Sequence, residues 1–529
     1  MNKELVELDK LFRSKKFEEV ISQSKKLIQA RNVAPIIFNL RGISLENIGK
    51  YEKAVKNFED AIKKNPNEVS FYSNAARILI KQGKTNKAEN YLNIALQIKN
   101  DHIFSLFEFG KLKRIQKKYD KSLEFFKKVY EINPKFPEAL FNIGKAYTEL
   151  YQDTGDIKYE ELAKKNLLVC SQLFPDTLDA DFLLSEIYNY MDEKKHQKIM
   201  LNKINNLDFT NLRKRSALLF AIAKSYEDQK KYDQASEFLN TANNEMNKNI
   251  NKQIMSKYKD RFDNLKLIFD KIVNIKSLEE KRLYKRKLIF IVGMPRSGTT
   301  LLHQLIASAP GVDGVGESYV VPQFFESAIF SKNFLNNIYK NNKFNKDYLI
   351  EISNSLGNKY DKLKQDDKNI IVDKNPSNFY WIGFLKLLFP NAKIVHVKRN
   401  LKDVSLSIYK NIFGVAEMDW SYNQTNIINY IRTYLNVISY WKKKYPNFVY
   451  ELEYENLIKD KNIETKKLFS FCDIGWSENI FNYYKTGKTI RTASIYQVKK
   501  PIYKSSINIS ENYSQYLTFL KEIDELQTN

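Results

Sequence analysis

A chain of 529 residues, 43% of them hydrophobic, exceeds one ordinary domain and has the material for two packed cores. Cys170 and Cys472 are too few and too far apart for a disulfide framework. No cysteine–histidine cluster marks a metal site, and no apolar run approaches the roughly 18 residues of a membrane span. The net charge of +24 would steer acidic partners toward the chain, although lysine spread along its whole length reads equally as solvated faces.

The first residues, Met1-Asn2-Lys3-Glu4-Leu5, carry charges where an export signal needs an apolar stretch, so a cytoplasmic location is expected. Residues 1–250 then repeat themselves, and the 34 residues from Gly110 to Gly144 are one period. Gly42 lies two periods before Gly110, and Pro66 and Pro134 hold a second phase. Ala54 recurs as Ala88 and Ala61 as Ala95; Tyr51 matches Tyr119 and Phe17, and Phe58 matches Phe126. Small residues let paired helices approach closely, and proline closes each unit. This pattern is similar to the tetratricopeptide repeat. An insertion at 152–159 shifts the phase, which Ala163, Leu167, Cys170 and Pro175 resume. After a degenerate repeat, Ala223, Tyr232, Ala235, Leu239 and Ala242 mark a better one. About six or seven repeats would stack as a right-handed all-α solenoid. Residues 251–286 read as a linking and capping helix with the apolar stripe Ile254, Tyr258, Phe262, Leu265 and Phe269, ending in a basic run at 281–287.

From residue 287 onward short apolar strands alternate with helical patterns. Strands are predicted at 287–292, 369–373, 393–397 and 448–452. Helices are predicted near 299–308, 378–388, 401–412, 427–444 and 463–472. Such alternation implies an α/β domain with a parallel sheet covered on both faces, binding its ligand beyond the carboxyl ends of the strands. The first strand runs into Gly293-Met294-Pro295-Arg296-Ser297-Gly298-Thr299-Thr300 and then an apolar helix. That is the layout of a strand, an anion-cradling loop and a helix N-terminus, where backbone N–H groups and the helix dipole attract negative charge. The nucleotide-hydrolase form of this P-loop reads G-x-x-x-x-G-K-[ST]. Gly293 and Gly298 keep the glycine spacing, but Thr299 replaces the lysine that reaches the β/γ-phosphates, and Arg296 supplies a different cation. The loop suits an anion that is not a nucleoside triphosphate.

In these residues the chain resembles the sulfotransferase superfamily, most of all its tyrosylprotein sulfotransferase branch. It is also similar to bacterial proteins in which such a domain follows tetratricopeptide repeats. The resemblance runs from 288 to the C-terminus. It implies 3′-phosphoadenosine 5′-phosphosulfate (PAPS) as donor, 3′,5′-bisphosphoadenosine as product, and no metal. It implies that Arg296, Ser297, Gly298, Thr299 and Thr300 cradle the 5′-phosphosulfate. Glu317, in Gly314-Val315-Gly316-Glu317, stands at the family's distance for the general base. Lys374, in Asp373-Lys374-Asn375-Pro376, matches the lysine that, with Arg296, steadies charge on the leaving group. Arg399 and Ser407 match the pair that binds the 3′-phosphate, for which the arginine fork is suited. Asn400-Leu401 departs from the family's Asp-Gly. Tyr454 matches a tyrosine that contacts the nucleotide. In the stretch 492–503, Ser494 would reach the leaving phosphate, with Gln497 and Lys500 nearby. Ile509 and Ser510 stand where relatives carry a basic residue and a tryptophan, and Lys504 is a substitute cation. His303 and His396 read as packed side chains rather than bases.

The sequence therefore predicts a tetratricopeptide solenoid at 1–250, a linking helix at 251–286 and a PAPS-dependent sulfotransferase domain of P-loop-like α/β fold at 287–529. The acceptor is a hydroxyl. The resemblance points to protein tyrosine, and sugar or lipid hydroxyls would need the same machinery. The repeats are expected to bind the acceptor or a partner protein; nucleic acid is not expected. Two rival readings stay open. A small-molecule or nucleotide kinase is opposed by the missing lysine and by Arg399 with Ser407. A non-catalytic repeat scaffold is opposed by the joint presence of Arg296, Glu317, Lys374 and Arg399.

Overall fold

The computed structural model describes the chain except for residues 1–2, 30–32, 192, 210, 249, 251–253, 273–283, 330–345, 364–367, 486–501, 503–505 and 529. Two compact units are present, Met1–Tyr188 and Asn189–Asn529. Among the described residues no helix is long and apolar enough to cross a membrane.

The first unit is a run of antiparallel helix pairs. Pro35–Asn47 packs on Tyr51–Lys64, Val69–Lys81 on Thr85–Ile98, Ile103–Ile115 on Tyr119–Ile132, and Pro137–Thr154 on Ile157–Leu173. The periodic glycines are sockets. A Cβ on Gly42 would stand 2.6 Å from the ring of Phe58, and one on Gly110 2.6 Å from the ring of Phe126. At Gly144 the partner is Leu167, also at 2.6 Å. Each socket thus receives a large, buried side chain of the partner helix, and a methyl group there would collide with it. The repeated alanines Ala54, Ala61, Ala88 and Ala95 are buried in the same seams.

The turn inside each pair has its own phase. Lys15, Gly49, Gly83 and Lys117 have φ of +56°, +76°, +74° and +59°. Glycine takes this left-handed conformation without strain, whereas a lysine there costs about 1–2 kcal/mol. The inserted residues after Tyr147 are absorbed by growth: the helix Pro137–Thr154 has 18 residues and Ile157–Leu173 has 17. Gly155, at φ +72°, ends the first, and the Asp156 carboxylate caps the second by accepting from the Lys158 N–H at 2.9 Å.

The second unit holds one five-stranded parallel sheet in the order β2-β3-β1-β4-β5. The strands are β1 Lys287–Gly293, β2 Val312–Gly316, β3 Ile370–Lys374, β4 Lys393–Lys398 and β5 Val449–Glu453. One face of the sheet, with Ile289, Ile291, Val372, Val395 and Val397, packs on Leu302 and Leu305 of the helix Thr299–Ala307 and on Leu468 and Phe469 of the helix Lys461–Phe471. The other face presents Phe290 to the rings of Tyr360 and Phe389. The four predicted strands are present. β2 was not predicted, because Val312-Asp313-Gly314-Val315-Gly316 has two glycines and an aspartate where strands favour β-branched residues. The stretch predicted as a helix at 378–388 is a 3₁₀ segment, Pro376–Trp381, followed by the helix Ile382–Leu388. The helix that begins at Leu401 ends at Tyr409, three residues short of the predicted end.

The helices Leu212–Asp228 and Tyr232–Asn247 belong to this second unit and pack on the chain that follows the helix Leu401–Tyr409. The buried Asn243 amide donates to the carbonyl of Tyr409 at 2.9 Å, and the Tyr409 hydroxyl donates to Asn240 at 2.8 Å. Lys410 pairs with Glu227 at 2.6 Å, and Arg213 donates to the carbonyl of Phe413 at 3.0 Å.

Two outcomes are expected. Gly110→Ala should destabilise its repeat by about 1–3 kcal/mol through overpacking against Phe126, read as an earlier loss of helical circular dichroism on heating. A chain beginning at residue 251 lacks Glu227, Asn240 and Asn243, so it should melt below a chain beginning at residue 189. Equal melting temperatures would show that the 212–247 hairpin contributes nothing to the unit.

Candidate active site

Five parallel strands deliver five short segments to one edge of the sheet. In spatial order they are the turn after β2 with Glu317, the end of β3 with Lys374, the glycine loop after β1, Arg399 after β4, and Tyr454 after β5. β1 leads toward β2 on one side and β4 toward β5 on the other. The strand order reverses there, and the crevice beyond such a reversal is where α/β sheets bind ligands.

The glycine loop owes its path to three left-handed residues. Gly293 has φ +151°, and a Cβ there would lie 2.7 Å from the carbonyl oxygen of Val397. Gly298, at φ +101°, caps the helix Thr299–Ala307, and a Cβ there would enter the ring of Tyr454, 2.8 Å from Cε2. Arg296 has φ +69° without being glycine, a strained conformation of the kind that gathers at functional sites. The hydroxyl of Ser297 is buried and has no hydrogen-bond partner among the described residues. Thr299 and Thr300 are buried in the first turn of the helix.

Arg296 ties the loop to the far side of the crevice. Its Nε donates to the Ser407 hydroxyl at 3.0 Å, and its carbonyl accepts from Arg399 at 3.0 Å. The guanidinium of Arg399 lies 4.6 Å from the centre of the Tyr454 ring and donates to the Ser506 carbonyl at 2.5 Å. Its Nε is buried without a partner among the described residues. The Tyr454 hydroxyl lies 3.1 Å from the Ser506 hydroxyl. Asn400 caps the helix that carries Ser407, accepting from the N–H groups of Lys402 at 2.9 Å and Asp403 at 3.2 Å. A side chain with a carbonyl oxygen at this position thus does local structural duty.

At the other end Lys374 donates to the Glu317 carboxylate. Lys374 is 2% exposed, while the Glu317 side chain is 33% exposed. Burial pushes the Lys374 ammonium below its ordinary pKa, and the Glu317 charge opposes that shift. Beside it, Asp373 is buried and its carboxyl is pushed up to about 7, chiefly by desolvation. Its Oδ2 accepts from the Ser318 hydroxyl at 3.1 Å and from the Tyr360 hydroxyl.

The structure therefore brings together Glu317 with Lys374, and Arg296, Ser297, Gly298, Thr299 and Thr300 with Arg399, Ser407 and Tyr454. Ser494, Gln497, Lys500 and Lys504 lie outside the described residues. His396 is a packed side chain: its ring bonds the Tyr434 hydroxyl, its Nδ1 lies 3.2 Å from Glu451, and burial lowers its pKa. His303 accepts from the Gly316 N–H through Nε2 at 3.3 Å. Sequence reasoning missed Asp403. It is buried and accepts from the N–H groups of Asn508 at 2.7 Å and Ser510 at 2.9 Å, and from the Ser510 hydroxyl at 2.7 Å. Ser510 is thus an anchor on the helix that bears Ser407. Among the described residues no group of three or more His, Cys, Asp or Glu side chains could hold a metal ion.

Comparison with known proteins fits this arrangement. The model of the sulfotransferase family matches residues 289–478, and two tetratricopeptide-repeat models match residues 49–105 and 105–136. An uncharacterized protein of Aquifex aeolicus is 31% identical over 316 residues, which are 58% of this chain and 41% of that one. Protein-tyrosine sulfotransferase A of Caenorhabditis elegans is 22% identical over 235 residues, 40% of this chain and 58% of that one. The chain thus spans less than two thirds of either relative. A solved tetratricopeptide repeat protein from Parabacteroides merdae superposes with a TM-score of 0.32 at 16% identity, covering 46% of this chain and 96% of that one. The chain carries tetratricopeptide repeats in its N-terminal part and a sulfotransferase-family domain in its C-terminal part.

Proposed function

We propose that this chain transfers a sulfuryl group from PAPS to an acceptor hydroxyl, releasing 3′,5′-bisphosphoadenosine, and that the repeats hold the acceptor or a partner protein. The observation that supports this most is the order of groups along the sheet edge. A carboxylate–ammonium pair stands at one end, two arginines with a serine and a tyrosine at the other, and a glycine loop between them. The residues fit a ligand with two anionic groups. The Ser297 hydroxyl and the Arg399 Nε are buried without partners among the described residues, and one anionic group at each would remove both costs.

When bound, the donor supplies the sulfuryl group; the remaining tasks fall to side chains. Ser297, Thr299, Thr300 and the N–H groups around Gly298 would hold the 5′-phosphosulfate. Arg399 and Ser407 would hold the 3′-phosphate, and Tyr454 would contact the nucleotide. Glu317 takes the proton of the acceptor hydroxyl as its oxygen bonds to sulfur. The bond between sulfur and the phosphate oxygen breaks, and Lys374 and Arg296 meet the charge left on that oxygen. Glu317 is the solvent-reaching member of its ion pair, as a group that must meet an incoming acceptor should be. The tyrosine acceptor rests on the likeness to tyrosylprotein sulfotransferases.

Donor identity is tested by thermal shift. The 3′,5′-bisphosphate should raise the melting temperature, and 5′-AMP far less, because only the former reaches Arg399 and Ser407. A hundredfold excess over Kd stabilises by about 2.7 kcal/mol. Equal shifts, or a larger one from magnesium-ATP, would favour the kinase reading. The base is tested by Glu317→Gln, which keeps the size of the side chain but takes no proton. Turnover should fall about 10²- to 10⁴-fold while the nucleotide still binds, and activity within a few-fold of wild type would remove Glu317 from the mechanism.

A further inference from the structure

Glu317 reaches solvent, yet the residues on both sides of it are tied to three buried side chains from two other segments. Before it, the Gly316 N–H donates to Nε2 of His303 at 3.3 Å. A backbone N–H can only donate, so this nitrogen of His303 accepts. After it, the Ser318 carbonyl accepts from the amide of Asn375 at 2.8 Å, and the Ser318 hydroxyl donates to Asp373 Oδ2 at 3.1 Å. Asp373 is 1% exposed, and the same oxygen accepts from the Tyr360 hydroxyl and from the Asn378 amide at 3.5 Å.

The ladder alone does not explain where Glu317 stands. β2 is an edge strand, and its pairing with β3 shifts register between Gly314 and Gly316. A glycine-rich edge with a register shift specifies its last residues weakly. The bonds to His303, Asn375 and Asp373 supply what the ladder omits. Successive residues of a strand point to opposite faces. Asp373 and Lys374 therefore hold the 317–318 turn from opposite sides of the sheet, one through Ser318 and the other through the Glu317 carboxylate.

We infer that Asp373 is a positioning residue for Glu317, acting through the Ser318 hydroxyl to fix the backbone from which the carboxylate reaches Lys374 and the acceptor. This rests on the reading of Glu317 as the base. A carboxyl group buried in a sheet is unfavourable for the fold, and such groups concentrate where function needs them. The His303 and Asn375 bonds complete the clamp from the backbone side.

The test uses the full chain with Ser318→Ala, Ser318→Thr, Asn378→Ala and Glu317→Gln, and measures kcat, acceptor KM and affinity for 3′,5′-bisphosphoadenosine. Ser318→Ala removes the hydroxyl arm of the link and leaves only the Ser318 backbone N–H on Asp373; it should lower kcat about ten- to a hundredfold, with nucleotide affinity unchanged. Ser318→Thr keeps the hydroxyl and should recover most of that loss. Asn378→Ala removes another bond from the same carboxylate, and the Asn378 side chain has no bond to residues 317–318 among the described residues. It should lower the melting temperature and leave kcat within about twofold. Wild-type kcat in Ser318→Ala, equal kcat losses in Ser318→Ala and Asn378→Ala, or a fall in nucleotide affinity in Ser318→Ala would overturn the inference. Glu317→Gln separates it from the reading beneath: an active Glu317→Gln sinks the base assignment. An inactive one beside a fully active Ser318→Ala sinks the clamp alone.

Discussion

Parallel pairing of β1 with β3 on one side and β4 on the other is the constraint from which the candidate site follows. All five strands run the same way, so every strand ends on one edge of the sheet. Neighbouring strands lie about 4.8 Å apart, which spaces the chemistry in fixed steps. Lys374 at the end of β3 and Arg399 after β4 flank the β1 loop on its two sides. The whole edge from β2 to β5 spans roughly 20 Å, enough to separate the Glu317–Lys374 pair from Arg399 and Tyr454. Register is equally strict. A slip of one residue would exchange the faces of Asp373 and Lys374, turning an ion pair with Glu317 into a clash of two carboxylates.

The unit accepts buried charges, each with a compensation. Lys374 is compensated by Glu317, and its lowered pKa shows that the compensation is incomplete. Asp403 accepts three hydrogen bonds from Asn508 and Ser510. Bonds to a charged group contribute about 1.5–3 kcal/mol each, enough to offset much of the desolvation. Those bonds also fasten residues 508–510 to the helix that bears Ser407. The hairpin 212–247 supports the other end of that helix through Asn240, Asn243 and Glu227. The helix that offers Ser407 to the crevice is therefore braced at both ends by polar contacts.

Much of this was legible in the residues. The Gly42, Gly110 and Gly144 phase announced the helix-pair sockets, because only the smallest residue admits Phe58, Phe126 or Leu167. The four apolar strands announced the sheet, and the Gly293–Gly298 spacing announced the loop. The remainder was hidden for identifiable reasons. β2 lacks strand propensity and forms because β3 offers it an edge to pair with. The turn phase at 15, 49, 83 and 117 was masked because lysine fills two of the four places. Asp403, Ser318 and Asp373 are polar residues of ordinary appearance. Their roles come from partners 107, 55 and 13 positions away in the chain, which no local pattern displays.

The left-handed backbone at Arg296 limits how the loop can change over generations. Arginine at φ +69° is held there by the path between Gly293 and Gly298 while its side chain reaches Ser407. The residues that adopt this conformation most readily are glycine, asparagine and aspartate, and none of them carries positive charge. Relieving the strain therefore removes the cation, and keeping the cation keeps the strain. Lysine would retain the charge but lose the planar fork whose Nε donates to Ser407. The loop has few viable single-step neighbours in sequence space, so drift at this position is expected to be abrupt rather than graded.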